Sequence, residues 1–444
     1  MGKRLVVVGG DGAGMAAASI ARRRDPDMEI VALEQGAWTS YSACGIPYLV
    51  GGEIDSLERL VARTPEEFRA VRIDMRTGHQ VTGIDLEART VDAHNLAHDR
   101  TYRLGFDLLH LATGAVPRRP PIPGLDGPHV HGVQTLGDAR NLLADADERR
   151  PAHVVVVGSG YIGLELAEAF LQRGAAVTVV EKAPQVLGLL DADMGALVGR
   201  AMRAMGVDLR LEETLEEVGD SFVRTSMGTI PADLVVLGLG VMPNTELAAS
   251  AGLDLGIHDA IVVDRRQRTS VEGVFAAGDC CQSTHIVSGR ETYAPLGTVA
   301  NKQGRVAGIN LSGGYATFPG VAGTAVTRIC RTEVGRSGLN SEEAAAAGFG
   351  FVARTIEATT HASYLPDAAP MTVKMLAERH SGRILGVQIV GGPGSAKRVD
   401  VVAAGMAAGF SVEDLMMADL GYVPPLSSTW DPVQVVARAL IADL

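Results

Sequence analysis

The chain is predicted to be an α/β protein with two Rossmann-like dinucleotide-binding domains, and two observations carry that expectation. A β-rich run, a glycine turn, a small-residue helix, a second β-rich run and an acid occur in that order twice, about 150 residues apart. Glycine is also abundant, 53 of 444 residues, well above the usual ~7%, which suits a chain with several tight phosphate-binding turns.

Taken in order, the first copy starts with Lys3 to Val8, a short β-rich run, and turns at Gly9-Gly10-Asp11-Gly12-Ala13-Gly14. A helix is expected over Met15 to Arg24, then a strand over Glu29 to Leu33 that ends at Glu34, with Gln35 beside it. Such a turn lets backbone N–H groups approach a pyrophosphate at a helix N-terminus, while the acid hydrogen-bonds a ribose. The second copy has His153 to Val157, the full spacing Gly158-Ser159-Gly160-Tyr161-Ile162-Gly163, a helix over Leu164 to Arg173, a strand over Ala176 to Val180, and Glu181. One fingerprint alone is weak, since ordinary strand-to-helix turns also produce it. Two copies, each with its acid, mean two adenine nucleotides in one chain. Phe106 to Gly114 is a strand ending in Ala112-Thr113-Gly114, and Val274 to Asp279 is a short strand ending in Gly278-Asp279. Pro117 to Gly124 is proline-rich and reads as a hinge.

At this length about two to three domains are expected. Net charge is −12 with no basic block, which argues against nucleic acid as a partner. The uncharged stretch Val401 to Val412 is too short to span a bilayer, so no membrane partner is expected. Met1 to Gly10 starts like a secretory signal, but its apolar run is short and ends in the glycine turn, so a buried strand is the better reading. Four cysteines without obvious pairing fit a reducing compartment, and the expected location is cytoplasmic. No His/Cys/Asp spacing suggests a metal.

Cys44 is the sharpest chemical signal. It lies in Ser40-Tyr41-Ser42-Ala43-Cys44-Gly45-Ile46-Pro47-Tyr48, more than about 230 positions from Cys280, Cys281 and Cys330. Without a local partner, a redox Cys44 works alone and cycles through a mixed disulfide or a sulfenic acid. The flanking Ser, Gly and Pro do not make a core strand. Cys280, Cys281 and Cys330 read as buried, inert thiols, and His79, His110 and His361 as packed or surface residues. A helix over Val401 to Phe410, rich in Ala and Met, reads as packed interface.

Together these segments resemble the pyridine nucleotide–disulfide oxidoreductases, in the single-cysteine branch of coenzyme A disulfide reductases, NADH oxidases, NADH peroxidases and persulfide reductases. The matching stretches are Ser40 to Tyr48, Gly158 to Glu165, Gly278-Asp279-Cys280, Leu296 to Arg305 and Gly421 to Ser427, of which the first and last are the specific ones. The resemblance implies an FAD domain in two pieces, 1–115 and 252–320, an inserted NAD(P)H domain, 116–251, and a C-terminal α+β dimerisation domain, 321–444. It assigns FAD to Gly9, Gly10, Gly12, Ala13, Gly14, Glu34, Gln35, Val81, Ala112, Thr113, Gly114, Gly278, Asp279, Pro295 and Leu296, with Asp279 on a ribityl hydroxyl. It assigns NADH, or NADPH, to Gly158, Gly160, Tyr161, Ile162, Gly163, Glu165, Glu181 and Gly240, with Tyr161 covering the flavin until nicotinamide displaces it. Glu181 would accept from the ribose 2′-OH and repel a 2′-phosphate, which favours NADH, although Lys182 offsets part of that charge.

The same resemblance implies that Cys44 reduces a small thiol disulfide or persulfide, with coenzyme A among the candidates. Cys44 would act as a thiolate, its pKa lowered by a helix N-terminus and the flavin. Tyr422 and Tyr364 would reach the other subunit's cysteine in a homodimer and give the leaving thiolate its proton. Arg22, Arg23, Ser40, Ser42, Asn301 and Arg305 would line the coenzyme A site. Four positions depart from the pattern. Asp11 replaces a loop glycine, and its charge is repulsive to a pyrophosphate unless it points away. Gly12 stands where the oxidases and peroxidases carry a histidine, Ile20 where a glutamine is frequent, and Leu365 where a second tyrosine is frequent. Gly12 counts against an NADH oxidase. An electron carrier or redox sensor stays open, and dispensability of Cys44 would favour it.

Overall fold

The computed structural model describes residues 2–444; Met1, the first residue of the segment 1–115, lies outside them. The valine-rich strand Arg4–Val8 is buried along most of its length, as a parallel strand with both faces covered must be. It is the centre of a parallel sheet in the order Val274–Ala276, Leu108–Leu111, Arg4–Val8, Glu29–Glu34, Ile73–Thr77. The outer strand Val274–Ala276 returns from far along the chain to complete this sheet. A second parallel sheet repeats the plan with Asp208–Leu211, Ala176–Glu181, His153–Val157, Leu234–Leu237 and Val130–Gly132. In both, register places the acid: Val8 faces Leu33 and Val157 faces Val180. Glu34 and Glu181 therefore emerge one residue further on, level with the glycine turns.

Each unit also carries a three-stranded antiparallel sheet, His79–Asp85, Thr90–Asn95 and Arg100–Gly105 in the first, Leu215–Gly219, Phe222–Thr225 and Gly228–Pro231 in the second. Ala115–Pro117 pairs antiparallel with Val241–Pro243, so the chain enters and leaves the second unit as a two-stranded ribbon. The helices start earlier than the sequence pattern suggests, at Gly12–Arg24 and Tyr161–Gln172, because each glycine loop closes directly into the first helical turn. Small residues let helix Gly12–Arg24 meet helix Gly297–Leu311 backbone to backbone. A Cβ on Gly304 would lie 2.3 Å from the Ala13 carbonyl oxygen, and one on Gly308 2.5 Å from that of Ala17.

The C-terminal unit is an antiparallel sheet in the order Ala325–Ile329, Thr332–Gly338, Ile384–Gly391, Pro370–Glu378, Phe351–Thr359. Helices Val399–Ala408 and Pro432–Ile441 cover it, sharing its core of Val387, Ile389, Val402 and Val436. The first of these does not extend to Phe410: it stops at Gly409 in the left-handed region (φ 78°), and Phe410 folds back to donate to Gly405. Among the described residues, no helix is long and apolar enough to cross a membrane, and no cluster of three metal-ligating side chains occurs.

Candidate active site

The two glycine loops are built alike. Gly9 (φ 109°) and Gly158 (φ 100°) occupy a backbone conformation open to glycine, and a Cβ on either would strike the carbonyl of Ala112 or Gly238. Gly14 and Gly163 pack so closely on Gly9 and Gly158 that a Cβ would come within 2.0 and 2.1 Å of their oxygens. Glu34 accepts from the Gly10 N–H (2.8 Å) and the Gly36 N–H (2.7 Å), with Gln35 exposed between them. Glu181 accepts from the Ser159 N–H and hydroxyl (both 2.8 Å) and from the Ala183 N–H (2.9 Å). Each carboxylate is thus held beside its loop by two backbone donors.

Asp11 is accommodated by a bond to the cysteine segment. Its Oδ1 accepts from the Tyr41 N–H at 3.1 Å, and the Ser40 N–H donates to the Gly10 carbonyl at 3.0 Å. These bonds tie the first glycine loop to the cysteine segment. Burial, with Glu34 adding to it, pushes the Asp11 carboxyl up to about 6. Gly278 (φ 86°) abuts Ala13, and its N–H donates to Gln303 at 2.8 Å. Next to it, Asp279 is pushed up to about 6 by burial and by Asp11. Its Oδ1 is buried and has no partner. A buried acceptor without a donor is costly, and a ligand hydroxyl is the group it lacks. Ala112-Thr113-Gly114 is bolted to the end of strand Val241–Pro243: the Thr113 hydroxyl donates to the Asn244 carbonyl (2.6 Å), and the Asn244 amide donates back to the Thr113 carbonyl (3.2 Å). Val81 is half-buried in strand His79–Asp85, and Pro295 and Leu296 lead into the helix at Gly297.

Cys44 is exposed at the middle of a 3₁₀ turn, Ala43–Gly45, that runs into helix Ile46–Val50. Gly45 packs closely on the buried Leu60 side chain, whose Cδ2 would lie 2.2 Å from a Cβ there. The expectation of a depressed thiol pKa is not met by the chain's own groups. Burial, then the Glu165 and Asp279 carboxylates, push the Cys44 thiol up. Ser40 (φ 51°) and exposed Ser42 flank the turn. Asn301 is exposed, donates to the Gly297 carbonyl (2.9 Å) and lies over Gly12, 3.4 Å from where a Cβ would stand. Arg23 and Arg305 are exposed. Arg22 is not available as a phosphate fork, which corrects its place among the substrate residues. It donates to the carbonyls of Asp25, Pro26, Met28 and Arg72 and so pins the end of its helix.

In the second unit Gly160 caps the helix and Ile162 is exposed. Tyr161 is largely buried, its hydroxyl without a partner, and burial raises its pKa. Burial also raises Glu165, which accepts from the Thr327 hydroxyl of the C-terminal unit at 2.6 Å. The Gly240 carbonyl accepts from the Arg118 N–H on the connecting ribbon. Cys280 and Cys281 are fully buried, with sulfurs 3.7 Å apart. Cys330 differs from expectation: it is exposed at a hairpin turn (φ 52°), where burial and Glu168 push its thiol up to about 11. Tyr364 and Tyr422 are exposed on the C-terminal unit, where partial desolvation and then Tyr422 push the Tyr364 hydroxyl pKa up. The sequence reading missed Arg398, which organises both tyrosine segments by donating to the carbonyls of Thr360 (2.6 Å) and Leu426 (3.0 Å) and pairing with Asp431 (3.0 Å). No local pattern marks a single arginine for that role.

Residues 3–304 match the family described as pyridine nucleotide-disulphide oxidoreductase, and residues 324–433 match that family's dimerisation domain. The chain belongs to the pyridine nucleotide-disulphide oxidoreductases. As such it is an oxidoreductase that uses FAD and NAD(P)H. The NAD(P)H coenzyme A polysulfide/persulfide reductase of Pyrococcus horikoshii is 36% identical over 449 residues, 99% of each chain. The NADH oxidase of Methanocaldococcus jannaschii is also 36% identical, over 448 residues and 99% of each chain. Reduced Bacillus anthracis CoADR-RHD superposes with a TM-score of 0.97 at 34% identity, covering 99% of this chain and 80% of that one. The residues of this pyridine nucleotide-disulphide oxidoreductase fit FAD, since Asp279 Oδ1 is buried without a partner and a Cβ at Gly9 or Gly14 of the first glycine loop would strike backbone.

Proposed function

We propose that the protein is an FAD-dependent NAD(P)H reductase of a low-molecular-weight disulfide or persulfide, acting through Cys44 in a homodimer, with coenzyme A as the leading thiol. The observation that carries this reading is the setting of Cys44. It is accessible, on a turn tied through Tyr41 and Ser40 to the first glycine loop, and within the field of Asp279. The two cysteines beside Asp279 are sealed in the core, and Cys330 is held as a thiol. The balanced reactions are NAD(P)H + H⁺ + RSSR → NAD(P)⁺ + 2 RSH, and for a persulfide NAD(P)H + H⁺ + RSSH → NAD(P)⁺ + RSH + H₂S.

Bound FAD would supply the two-electron link between nicotinamide and sulfur, held by the first glycine loop, Glu34, the 112–114 turn and Asp279. Glu181 and Ser159 would fix the adenosine ribose of the nucleotide, and Tyr161 would exclude water from the nicotinamide pocket. Cys44 would attack the disulfide or persulfide as a thiolate, and since the carboxylates around it oppose ionisation while only its own backbone favours it, the bound flavin would supply the rest. Exposed Arg23 and Arg305, with Ser42 and Asn301, would receive the phosphates and polar arm of coenzyme A. Tyr422 and Tyr364 would protonate the leaving thiolate at the other subunit's Cys44.

Anaerobic oxidation of NADH and NADPH against a panel of disulfides and persulfides, repeated in air, tests the reading. Turnover with a thiol substrate that exceeds turnover with oxygen is expected. The identity shared with the M. jannaschii NADH oxidase supports oxygen as a second acceptor, while Gly12 supplies no imidazole to handle peroxide. Glu181 leads to an expected NADH preference of about tenfold or more, roughly 1.4 kcal/mol; equal kcat/KM for NADPH would contradict it.

A further inference from the structure

A buried polar network joins the dimerisation domain to one loop of the second nucleotide unit. The loop, residues 182–191, leads from Glu181 to helix Ala192–Ala204. At its start it is fastened to the glycine loop: the Ala183 N–H donates to Glu181 (2.9 Å) and the Leu187 N–H to the Ser159 carbonyl (3.0 Å). Leu187 is held at φ 48°, a conformation side chains rarely adopt. At its end the dimerisation domain takes over. The Leu189 carbonyl accepts from Arg336 (3.1 Å) and Asn340 (3.2 Å). The Asp191 N–H donates to Gln388 (2.7 Å). The Asp191 carboxylate accepts from the Ser341 N–H (2.8 Å), the Ser341 hydroxyl (2.7 Å) and Lys374 Nζ (2.8 Å). Lys374 also reaches Asp193 at 2.8 Å.

Asp191, Arg336, Asn340 and Gln388 are buried, and the Lys374 side chain is 13% exposed. An apolar contact would join two domains at less cost than this network, because desolvating charges consumes most of what their pairing returns. What buried charges add is geometric definition, since each must meet its partner. Here the defined object is the loop that follows the proposed ribose-binding acid. We propose that the dimerisation domain presets the pyridine-nucleotide loop, with Lys374 as the positioning residue that holds Asp191 and, through it, the loop beyond Glu181. The proposal rests on the reading of Glu181 and its glycine loop as the NAD(P)H site.

The test is calorimetric titration of the FAD-loaded protein with NAD⁺, beside steady-state kinetics with NADH. Lys374→Met is expected to raise the NAD⁺ Kd and the NADH KM about tenfold, ~1.4 kcal/mol, with kcat at saturating NADH within about twofold and flavin content unchanged. Lys374→Arg should restore most of the affinity. If Lys374→Met does not fold, Asp193→Asn serves: it removes the half-exposed partner, leaves Lys374 paired to Asp191, and should raise Kd about threefold. A Lys374→Met protein, or in its place Asp193→Asn, that melts earlier yet binds NAD⁺ like the wild type overturns the positioning role. A wild type that binds no NAD⁺ and is not reduced by NADH overturns the underlying site reading, and the proposal with it. The two failures are told apart by the wild-type titration.

Discussion

Cys44 sits among acids, and so does the loop beneath it. The charges that act on its sulfur are carboxylates, which oppose a thiolate rather than favour one. Asp11 shows the same economy. Burial and Glu34 lift its carboxyl to about 6, while the Tyr41 N–H supplies the bond that keeps it in place. A folded-state pKa above the unfolded 3.8 means that the native FAD-free protein binds the proton more tightly. Stability should therefore fall as pH rises from about 4 to about 6, with the full cost present above 6. Asp11→Asn keeps an acceptor for Tyr41 and removes the charge. It is expected to stabilise the FAD-free protein at pH 7.5 by about 3 kcal/mol and to make that stretch of the pH profile shallower, Asp279 still titrating there. Urea midpoints for both proteins across pH 4 to 8 check this; parallel curves would contradict it.

At the scale of elements, the crossing of helices Gly12–Arg24 and Gly297–Leu311 joins the two ends of the first nucleotide unit. Gly308→Ala would force a methyl to within 2.5 Å of the Ala17 carbonyl oxygen. Overpacking of this kind costs about 1–3 kcal/mol, and because the same helix starts beside the first glycine loop, FAD affinity should fall with stability. Thermal melts and flavin retention after gel filtration measure both. The paired strand–turn–helix units were legible in the sequence because glycine turns and valine runs are local signals, and the acids after the second strands followed from spacing. The antiparallel sheets at 79–105 and 215–231 went unread, since their strands are half exposed and mix polar and charged residues with few apolar ones. Asp11 showed only as an anomaly, because the Tyr41 N–H that satisfies it lies 30 residues away. Arg22 looked like an anion site because an arginine run does not reveal which member turns to backbone carbonyls. The loop clamp around Asp191 joins residues about 150 to 200 positions apart, and no local pattern records such pairings.

The whole molecule leaves an apolar and aromatic surface on its last unit. Tyr364, Tyr422, Val423, Leu426 and Trp430 are all exposed, and Arg398 fixes the segments that carry most of them. This surface lies in the matched dimerisation domain or at its edge. A two-fold pairing through it would place the tyrosines at the other subunit's site. Light scattering at micromolar concentration should give about twice the 46.4 kDa chain mass. Arg398→Ala, which frees the Thr360 and Leu426 carbonyls and leaves Asp431 without its cation, should weaken the dimer and lower disulfide turnover together. A fully active monomer would contradict the assembly and the role of Tyr422 in trans.

The account turns on one sulfur, and the most direct measurement is anaerobic turnover of Cys44→Ser with its preferred disulfide or persulfide, beside NADH reduction of its flavin. Serine keeps the shape and removes the redox centre. FAD content and flavin reduction by NADH should match the wild type, while disulfide or persulfide turnover should fall at least about a hundredfold, ~2.7 kcal/mol in the barrier. Cys280→Ser, Cys281→Ser and Cys330→Ser should retain the chemistry apart from packing losses. Near-normal thiol-substrate turnover by Cys44→Ser would contradict the single-cysteine mechanism and leave the electron-carrier reading in its place.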